Sequence, residues 1–140
     1  MSPYSASIRP LSDKIWVTGQ VLPGHIEGLR EAGFTCLVNH RPDGEEPGQP
    51  ESAELARVAA AAGLSVVTAP VRGLPDADAV AATRGALDSL GPNGKALMFC
   101  RSGMRSAAAW AMAERLAGAE PEALRDAAFA AGYDLSRLPL

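Results

Sequence analysis

The feature that most constrains this chain is a regular alternation between short apolar segments and amphipathic segments of helical length. Apolar or β-branched residues at 14–18, 34–39, 65–71 and 95–99 predict four strands. Helices are predicted at residues 23–32, 51–62, from Asp76 or Asp78 to about Leu90, 103–117 and 121–131. This alternation indicates an α/β fold with a mostly parallel central sheet of four to five strands flanked by helices. The 140 residues suit one domain, 1–140.

Charge and residue counts argue against several classes of function. A net charge of −3 argues against a nucleic-acid partner, which usually requires a surplus of basic residues. No segment approaches the ~18 apolar residues of a membrane span, so no membrane partner is expected. Residues 1–11 contain no apolar run typical of a signal peptide, which favours the cytoplasm. With only His25 and His40 as histidines, we expect neither a metal nor a cofactor.

Arginines cluster in the loops that follow the predicted strands. The four loops are residues 19–20, 40–43, 72–73 and 100–105, and the last three carry Arg41, Arg72, Arg101 and Arg105. The carboxyl ends of parallel strands lie along one edge of a sheet, where such loops form a ligand crevice. In a chain of net negative charge, this placement of arginines predicts an anion pocket.

The loop after the fourth predicted strand carries the residues of a reactive cysteine site. Cys100 ends the strand, and a predicted helix begins a few residues later. Backbone amides at a helix N-terminus favour an anion, and the fork of Arg105 matches a tetrahedral oxyanion. These features favour the thiolate form of Cys100, the nucleophilic form of a cysteine. Arg101, Ser102, Gly103, Met104 and Ser106 complete the predicted anion-binding loop, and Ser106 could donate to the thiolate.

This loop resembles the active-site loop of rhodanese sulfurtransferases and cysteine-dependent phosphatases. Over nearly its whole length the chain resembles the beta-lactamase-hydrolase-like, phosphatase-like domain family, which is also labelled a sulfur transferase family. The matching segments are residues 17–20, 39, 41–46, 48–50, 69–71 and 100–106. The resemblance implies a fold like that of dual-specificity phosphatases. Some members of the family are fused to a persulfide-oxidising metallo-hydrolase, which implies sulfide detoxification and such an enzyme as a candidate partner.

The spacing of the loop favours sulfur transfer over phosphate hydrolysis. Cysteine phosphatases have five residues between cysteine and arginine, whereas four residues separate Cys100 from Arg105. The shorter loop resembles that of rhodaneses, which hold the outer sulfur of a persulfide. We therefore expect a sulfurtransferase in which Cys100 takes sulfane sulfur from a small-molecule or protein donor, such as thiosulfate or a persulfide. A thiol or cyanide then accepts the sulfur.

Two alternatives remain open at this stage. A cysteine-dependent phosphatase would need a general acid, for which Asp76 is the candidate; its other interpretation is a helix N-cap. A non-catalytic module that binds an anion or persulfide and docks on a sulfide-oxidising enzyme is the third hypothesis. Arg41 either helps to bind the donor or pairs with Asp43, Glu45 or Glu46. Cys36, Trp110 and Met112 are predicted to belong to the core.

Overall fold

The computed structural model describes residues 7–140; residues 1–6 of the predicted domain lie outside this range. The strands are β1 (Arg9–Pro10), β2 (Ile15–Thr18), β3 (Cys36–Asn39), β4 (Ser65–Thr68) and β5 (Ala96–Phe99). The α-helices are α1 (Ile26–Glu31), α2 (Ser52–Ala61), α3 (Ala77–Asp88), α4 (Met104–Leu116) and α5 (Pro121–Ala130), and a 3₁₀ turn at Pro23–His25 precedes α1.

The strands form one sheet in the order β1-β2-β5-β3-β4, in which only β1 is antiparallel to its neighbour. The predicted α/β fold with a mostly parallel sheet of four to five strands is therefore confirmed. The antiparallel strand β1 was not predicted, because a pair of residues is too short to form a periodic pattern. The third predicted strand ends at Thr68 rather than at residue 71.

Alternate residues of the central strands pack against helices on opposite faces of the sheet. Val17, Val38 and Met98 contribute to a core that also includes residues of α3, α4 and α5. Leu37, Leu97 and Phe99 contribute to the core beneath α1 and α2. This period of two explains why β3 and β5, buried on both faces, are almost wholly apolar. Cys36 and Trp110 are buried in the core as predicted, and Met112 packs against it.

The four parallel strands end at the same level. Phe99, at the end of β5, pairs with both Thr18 and Asn39, and Asn39 pairs with Thr68. Pairing continues one step further, because the amide of His40 donates to the carbonyl of Phe99 and the amide of Val71 donates to the carbonyl of His40, both at 2.8 Å. The loops that follow β3, β4 and β5 therefore start side by side. Within residues 7–140, no helix has the length and apolar character needed to cross a membrane.

Candidate active site

Cys100 lies immediately after β5, at the start of the loop that leads into α4. The residue is fully buried, and its sulfur accepts a hydrogen bond from the amide of Gly103 at 3.1 Å. Gly103 has φ +99°, a conformation that strains any residue with a Cβ atom. Because glycine adopts it freely, the chain turns back over the sulfur before α4 begins.

The amino end of α4 supplies further amides to this loop. The amide of Ala107 donates to the carbonyl of Gly103, which is the N-cap residue of the helix. That bond is the first one within the helix. The amides of Arg105 and Ser106 come before Ala107 in the first turn, where amides have no partner within the helix. This first turn therefore favours negative charge at the end of the helix that follows Cys100.

Arg105 is held by two other loops. One of its terminal nitrogens donates to the Val71 carbonyl at 2.7 Å, and the two terminal nitrogens together bind both carboxylate oxygens of Glu45, each at 2.8 Å. The hydrogen bonds to Glu45 raise the pKa of Arg105 despite partial burial of the guanidinium, and electrostatic interactions with Cys100 and Glu45 add to this effect. Arg105 is thus a permanent cation near the Cys100 sulfur, with its fork occupied by a carboxylate.

Arg41 is buried beneath the same carboxylate. Its guanidinium donates to Glu45 at 2.9 Å, to Glu46 at 3.0 Å and to the side-chain carbonyl of Gln20 at 2.9 Å. Of the two interpretations offered for Arg41, the structure shows the pairing with Glu45 and Glu46; Asp43 instead binds Ser52. Three acceptors surround the Arg41 side chain, and its role in binding the donor stays a prediction.

Glu45 joins the two arginines and is ionised as a result. Hydrogen bonds from Arg105 lower the pKa of Glu45 to about 2, and those from Arg41 and the charges of both arginines add to the effect. Glu45 therefore stays deprotonated at neutral pH and cannot serve as a general acid there.

A buried chain of three polar side chains runs behind the first turn of α4. Thr83 donates its hydroxyl proton to the Ala79 carbonyl, so its oxygen must accept from Nε2 of His40 at 2.8 Å. Burial, followed by the charge of Arg105, lowers the pKa of His40 to about 4. The imidazole is then neutral with its proton on Nε2, and Nδ1 accepts the hydroxyl proton of Ser106 at 2.7 Å. The only proton of Ser106 is directed to His40 and not to the Cys100 sulfur, which corrects the expected donation to the thiolate.

Asp76 caps a helix. Its side chain accepts from the amide of Ala79 at 2.8 Å, in the N-cap geometry of α3. Of the two interpretations of Asp76, this bond agrees with the helix N-cap. It holds the carboxylate at the amino end of α3.

The remaining predicted residues of the loop line its outer side. Arg101 is 68% exposed on its side chain, and its nearest carboxylate is that of Glu46 at 3.9 Å. Met104 and Ser102 are also exposed, and the Ser102 hydroxyl accepts from the Met104 amide at 3.4 Å. Arg72 is exposed and lies beyond the end of β4, so its predicted position at a strand end is wrong.

Sequence reasoning missed Tyr133 as a residue of this site. Its hydroxyl donates to the Ser102 carbonyl at 3.0 Å, and its ring packs so closely on Gly103 that a Cβ there would collide with it. Burial and then the Cys100 charge raise the pKa of Tyr133, which keeps the phenol protonated. Tyr133 follows α5, far from Cys100 in the chain, so no local motif could have indicated the contact. Glu45 and His40 were missed as partners of Arg105 and Ser106 for the same reason.

The fold and the cysteine loop define a class of protein. The chain superimposes on Tk-PTP in its active form with a TM-score of 0.72 and 18% identity, covering 94% of this chain and 87% of that one. The kinase associated phosphatase KAP, with its catalytic cysteine replaced by serine, gives a TM-score of 0.69 at 18% identity, covering 86% of this chain and 79% of that one. This chain has the fold of the cysteine-dependent phosphatases.

The particular family follows from sequence similarity. Residues 7–119 match the family described as "Beta-lactamase hydrolase-like protein, phosphatase-like domain", and the chain belongs to that family. It is 31% identical over 110 residues to a beta-lactamase hydrolase-like protein of Agrobacterium fabrum and 32% identical over 133 residues to one of Xylella fastidiosa, strain Temecula1. These alignments cover 77% and 91% of this chain but only 25% and 30% of the relatives.

Proposed function

We propose that this protein is a sulfurtransferase in which Cys100 carries sulfane sulfur as a persulfide. The observation that carries the proposal is the six-residue loop from Cys100 to Arg105, and the contacts of Asp76 and Glu45 agree with it. Asp76 caps α3, and Glu45 is ionised by two arginines. Sulfur transfer from a donor with a stable anionic leaving group needs no general acid, whereas hydrolysis of a phosphoester usually requires one.

The two half-reactions balance without a cofactor. The Cys100 thiolate attacks the outer sulfur of thiosulfate; a new S–S bond forms, the S–S bond of thiosulfate breaks, and sulfite leaves with the electron pair. A thiolate acceptor then attacks the outer sulfur of the Cys100 persulfide and regenerates the Cys100 thiolate. The amide of Gly103, 3.1 Å from the sulfur, and the cationic Arg105 are the groups that stabilise the anionic persulfide.

The first experiment measures the intact mass of the protein before and after thiosulfate, and again after cyanide. We expect a gain of one sulfur atom that cyanide removes as thiocyanate. The cyanide step matters because a sulfinic acid adds nearly the same mass and is not removed. Cys100→Ser should abolish the gain, and Cys36→Ala, at the other free cysteine, is the matched control that should retain it. A folded protein that gains no sulfur from thiosulfate or from a low-molecular-weight persulfide contradicts the proposal.

A phosphatase is the second candidate, and the comparisons favour it over sulfur transfer. PTPMT1 in complex with PI(5)P gives a TM-score of 0.71 at 14% identity, and the nma1982 protein of Neisseria meningitidis z2491, described as a phosphatase candidate, gives 0.77 at 24%. In this alternative Cys100 would form a phosphocysteine and Asp76 would leave its cap to protonate the leaving group. Hydrolysis of p-nitrophenyl phosphate that is lost in Cys100→Ser and strongly reduced in Asp76→Asn would support it.

The third hypothesis, a binding module for a sulfide-oxidising metallo-hydrolase, is separated by the same assays. If the folded protein neither takes up sulfur nor hydrolyses phosphoesters, while Cys100→Ser keeps its biological effect, catalysis is excluded and the binding module is favoured.

A further inference from the structure

A groove of about 620 Å³ opens beside the loop between Cys100 and α4, which we call the reactive loop. We call it the arginine groove and define it by six of its lining residues: Arg9, Gln20, Arg101, Ser102, Phe129 and Tyr133. Arg101 and Ser102 are the two residues that directly follow Cys100. The groove therefore begins at the rim of the reactive loop and is bounded on its other sides by the edge strand β1 and the end of α5.

The charge of the arginine groove is unlike that of the whole chain. Among the described residues its lining contains two arginines and no carboxylate, although the chain has a net charge of −3. Arg9 forms no ion pair with any of residues 7–140, and Arg101 has only Glu46 at 3.9 Å. Two exposed arginines around one cavity, of which only Arg101 has a carboxylate within 4 Å among the described residues, favour an anionic ligand.

The groove also offers apolar contact. Phe129 lies on its wall with 72% of its surface exposed, which is unusual for a phenylalanine. Tyr133 forms a fixed part of the wall, because its hydroxyl is bonded to the Ser102 carbonyl. A ligand with a carbon skeleton and carboxylate groups would use both the aromatic surface and the arginines.

A second cavity touches the site but suits an anion less well. It measures about 220 Å³ and is lined by Leu74, Met104, Leu135 and Leu138. Its charged residues besides Arg105 are Asp134 and Arg137, so a carboxylate faces into it. Like charges repel in a confined site, and an organic anion is therefore better accommodated in the arginine groove.

We infer that the arginine groove binds the organic part of a carboxylate-bearing thiol that accepts sulfur from Cys100. The inference rests on the proposed sulfur transfer and names the class of its acceptor. The thiolate of the acceptor attacks the outer sulfur of the Cys100 persulfide and forms a new S–S bond. The old S–S bond breaks, its electron pair returns to Cys100, and the product is the persulfide of the acceptor. Arg9 and Arg101 hold the carboxylates during this step.

The test uses thiols of different charge with the thiosulfate-loaded protein. Mercaptosuccinate is the dicarboxylate, 2-mercaptoethanol is neutral and cysteamine is cationic. We expect Arg9→Ala to raise the half-saturating concentration of mercaptosuccinate about fivefold relative to that of 2-mercaptoethanol, the size expected for one exposed ion pair. For each thiol, the half-saturating concentration is compared between the native protein and Arg9→Ala. Differences in reactivity between the thiols then cancel. Arg57→Ala removes the same charge from the exposed side of α2 and should leave the ratio unchanged.

A binding measurement separates failure of the inference from failure of the proposed function. The S-methyl thioether of mercaptosuccinate cannot accept sulfur, and its binding to Cys100→Ser protein is followed by calorimetry. Binding that weakens in the Arg9→Ala background supports the groove even if no sulfur is transferred by the native protein. If sulfur is transferred but the preference for mercaptosuccinate over 2-mercaptoethanol is unchanged in Arg9→Ala, the inference about the groove is wrong. The proposed sulfurtransferase activity would then still stand. If the preference for mercaptosuccinate falls in Leu74→Ala instead, the ligand binds in the second cavity. This result would also contradict the inference.

Discussion

The loop that follows β3 and the first turn of α4 each carry an arginine that binds Glu45, and the two arginines have different environments. Arg41 has 1% of its side chain exposed and donates to Gln20, Glu45 and Glu46. Arg105 has 21% exposed and donates only to Glu45 and one backbone carbonyl. Each side chain makes three hydrogen bonds, so the exposed fraction rather than the number of bonds decides which of the two arginines a ligand can reach.

This difference assigns a separate role to each arginine. Arg41 holds the segment that bears Glu45 and Glu46 in place, because it binds both carboxylates from below. Arg105 lies near the Cys100 sulfur, and an oxyanion that bound there would have to compete with Glu45 for the same nitrogens. The following predictions test this arrangement and the contacts of His40 and Tyr133 beside it.

The largest effect is expected when Arg41 is replaced by methionine. Arg41→Met removes a buried cation and three hydrogen bonds, but water can solvate the Glu46 carboxylate, so we expect a loss of about 3 kcal/mol in the free energy of unfolding. Arg105→Met, the matched control, removes a more exposed ion pair and should cost about 1 kcal/mol but abolish sulfate binding. Urea unfolding and sulfate titration measure both quantities. Equal losses of stability in the two variants would refute the distinction between the arginines.

The second prediction concerns the pH dependence of stability. The pKa of His40 is lowered to about 4 in the folded protein, against an ordinary value near 6.5. Between these values the unfolded chain binds more protons, so stability falls as the pH falls; from pH 7 to pH 5 the loss is about 2 kcal/mol. Urea unfolding at both pH values should show this slope in the native protein and not in His40→Gln. His25→Gln serves as the matched control for loss of the other histidine. An unchanged slope in His40→Gln would mean that another group titrates.

The third prediction tests Glu45 as an internal competitor of the ligand. Glu45→Gln removes the negative charge but retains side-chain hydrogen-bonding groups, and the Val71 carbonyl still holds Arg105. We expect sulfate to bind about tenfold more tightly, which corresponds to about 1.4 kcal/mol. Calorimetric titration of the variant and native protein measures the change. Weaker sulfate binding would show instead that the charge of Glu45 is needed to position Arg105.

The smallest effect is expected at Tyr133. Tyr133→Phe removes the hydrogen bond to the Ser102 carbonyl but keeps the ring against Gly103, so we expect a loss of about 1 kcal/mol in stability. The sulfur-loading rate should fall only a few-fold, because Cys100, Gly103 and Arg105 are unchanged. Tyr133→Ala also removes the ring and should reduce both quantities further. If Tyr133→Phe has no effect on either, the contact does not position the loop.

Much of the fold followed from periodicity. The apolar stretches around β2, β3 and β5 are short and bounded by turn residues, and buried parallel strands produce this pattern whatever surrounds them. The errors occurred where the pattern is weakest. The predicted strand extends beyond β4 because Ala69 and Val71 are apolar. Both residues are buried in the loop that follows β4 rather than in the sheet. β1 has only two residues and depends on its pairing with β2.

The residues of the candidate site also fall into a part that the sequence predicts and a part that it does not. The order of Cys100, Gly103 and Arg105 within a strand-loop-helix segment is local, so the sequence by itself determined the loop and the candidate nucleophile. The partners of that segment are His40, Glu45, Val71 and Tyr133, which lie far away in the chain, and Thr83 in turn binds His40. Only tertiary structure decided that Glu45 occupies Arg105, that His40 is neutral and that Ser106 donates to it. Burial and hydrogen-bond partners set these properties, and both depend on residues that approach each other only when the sheet aligns its strand ends.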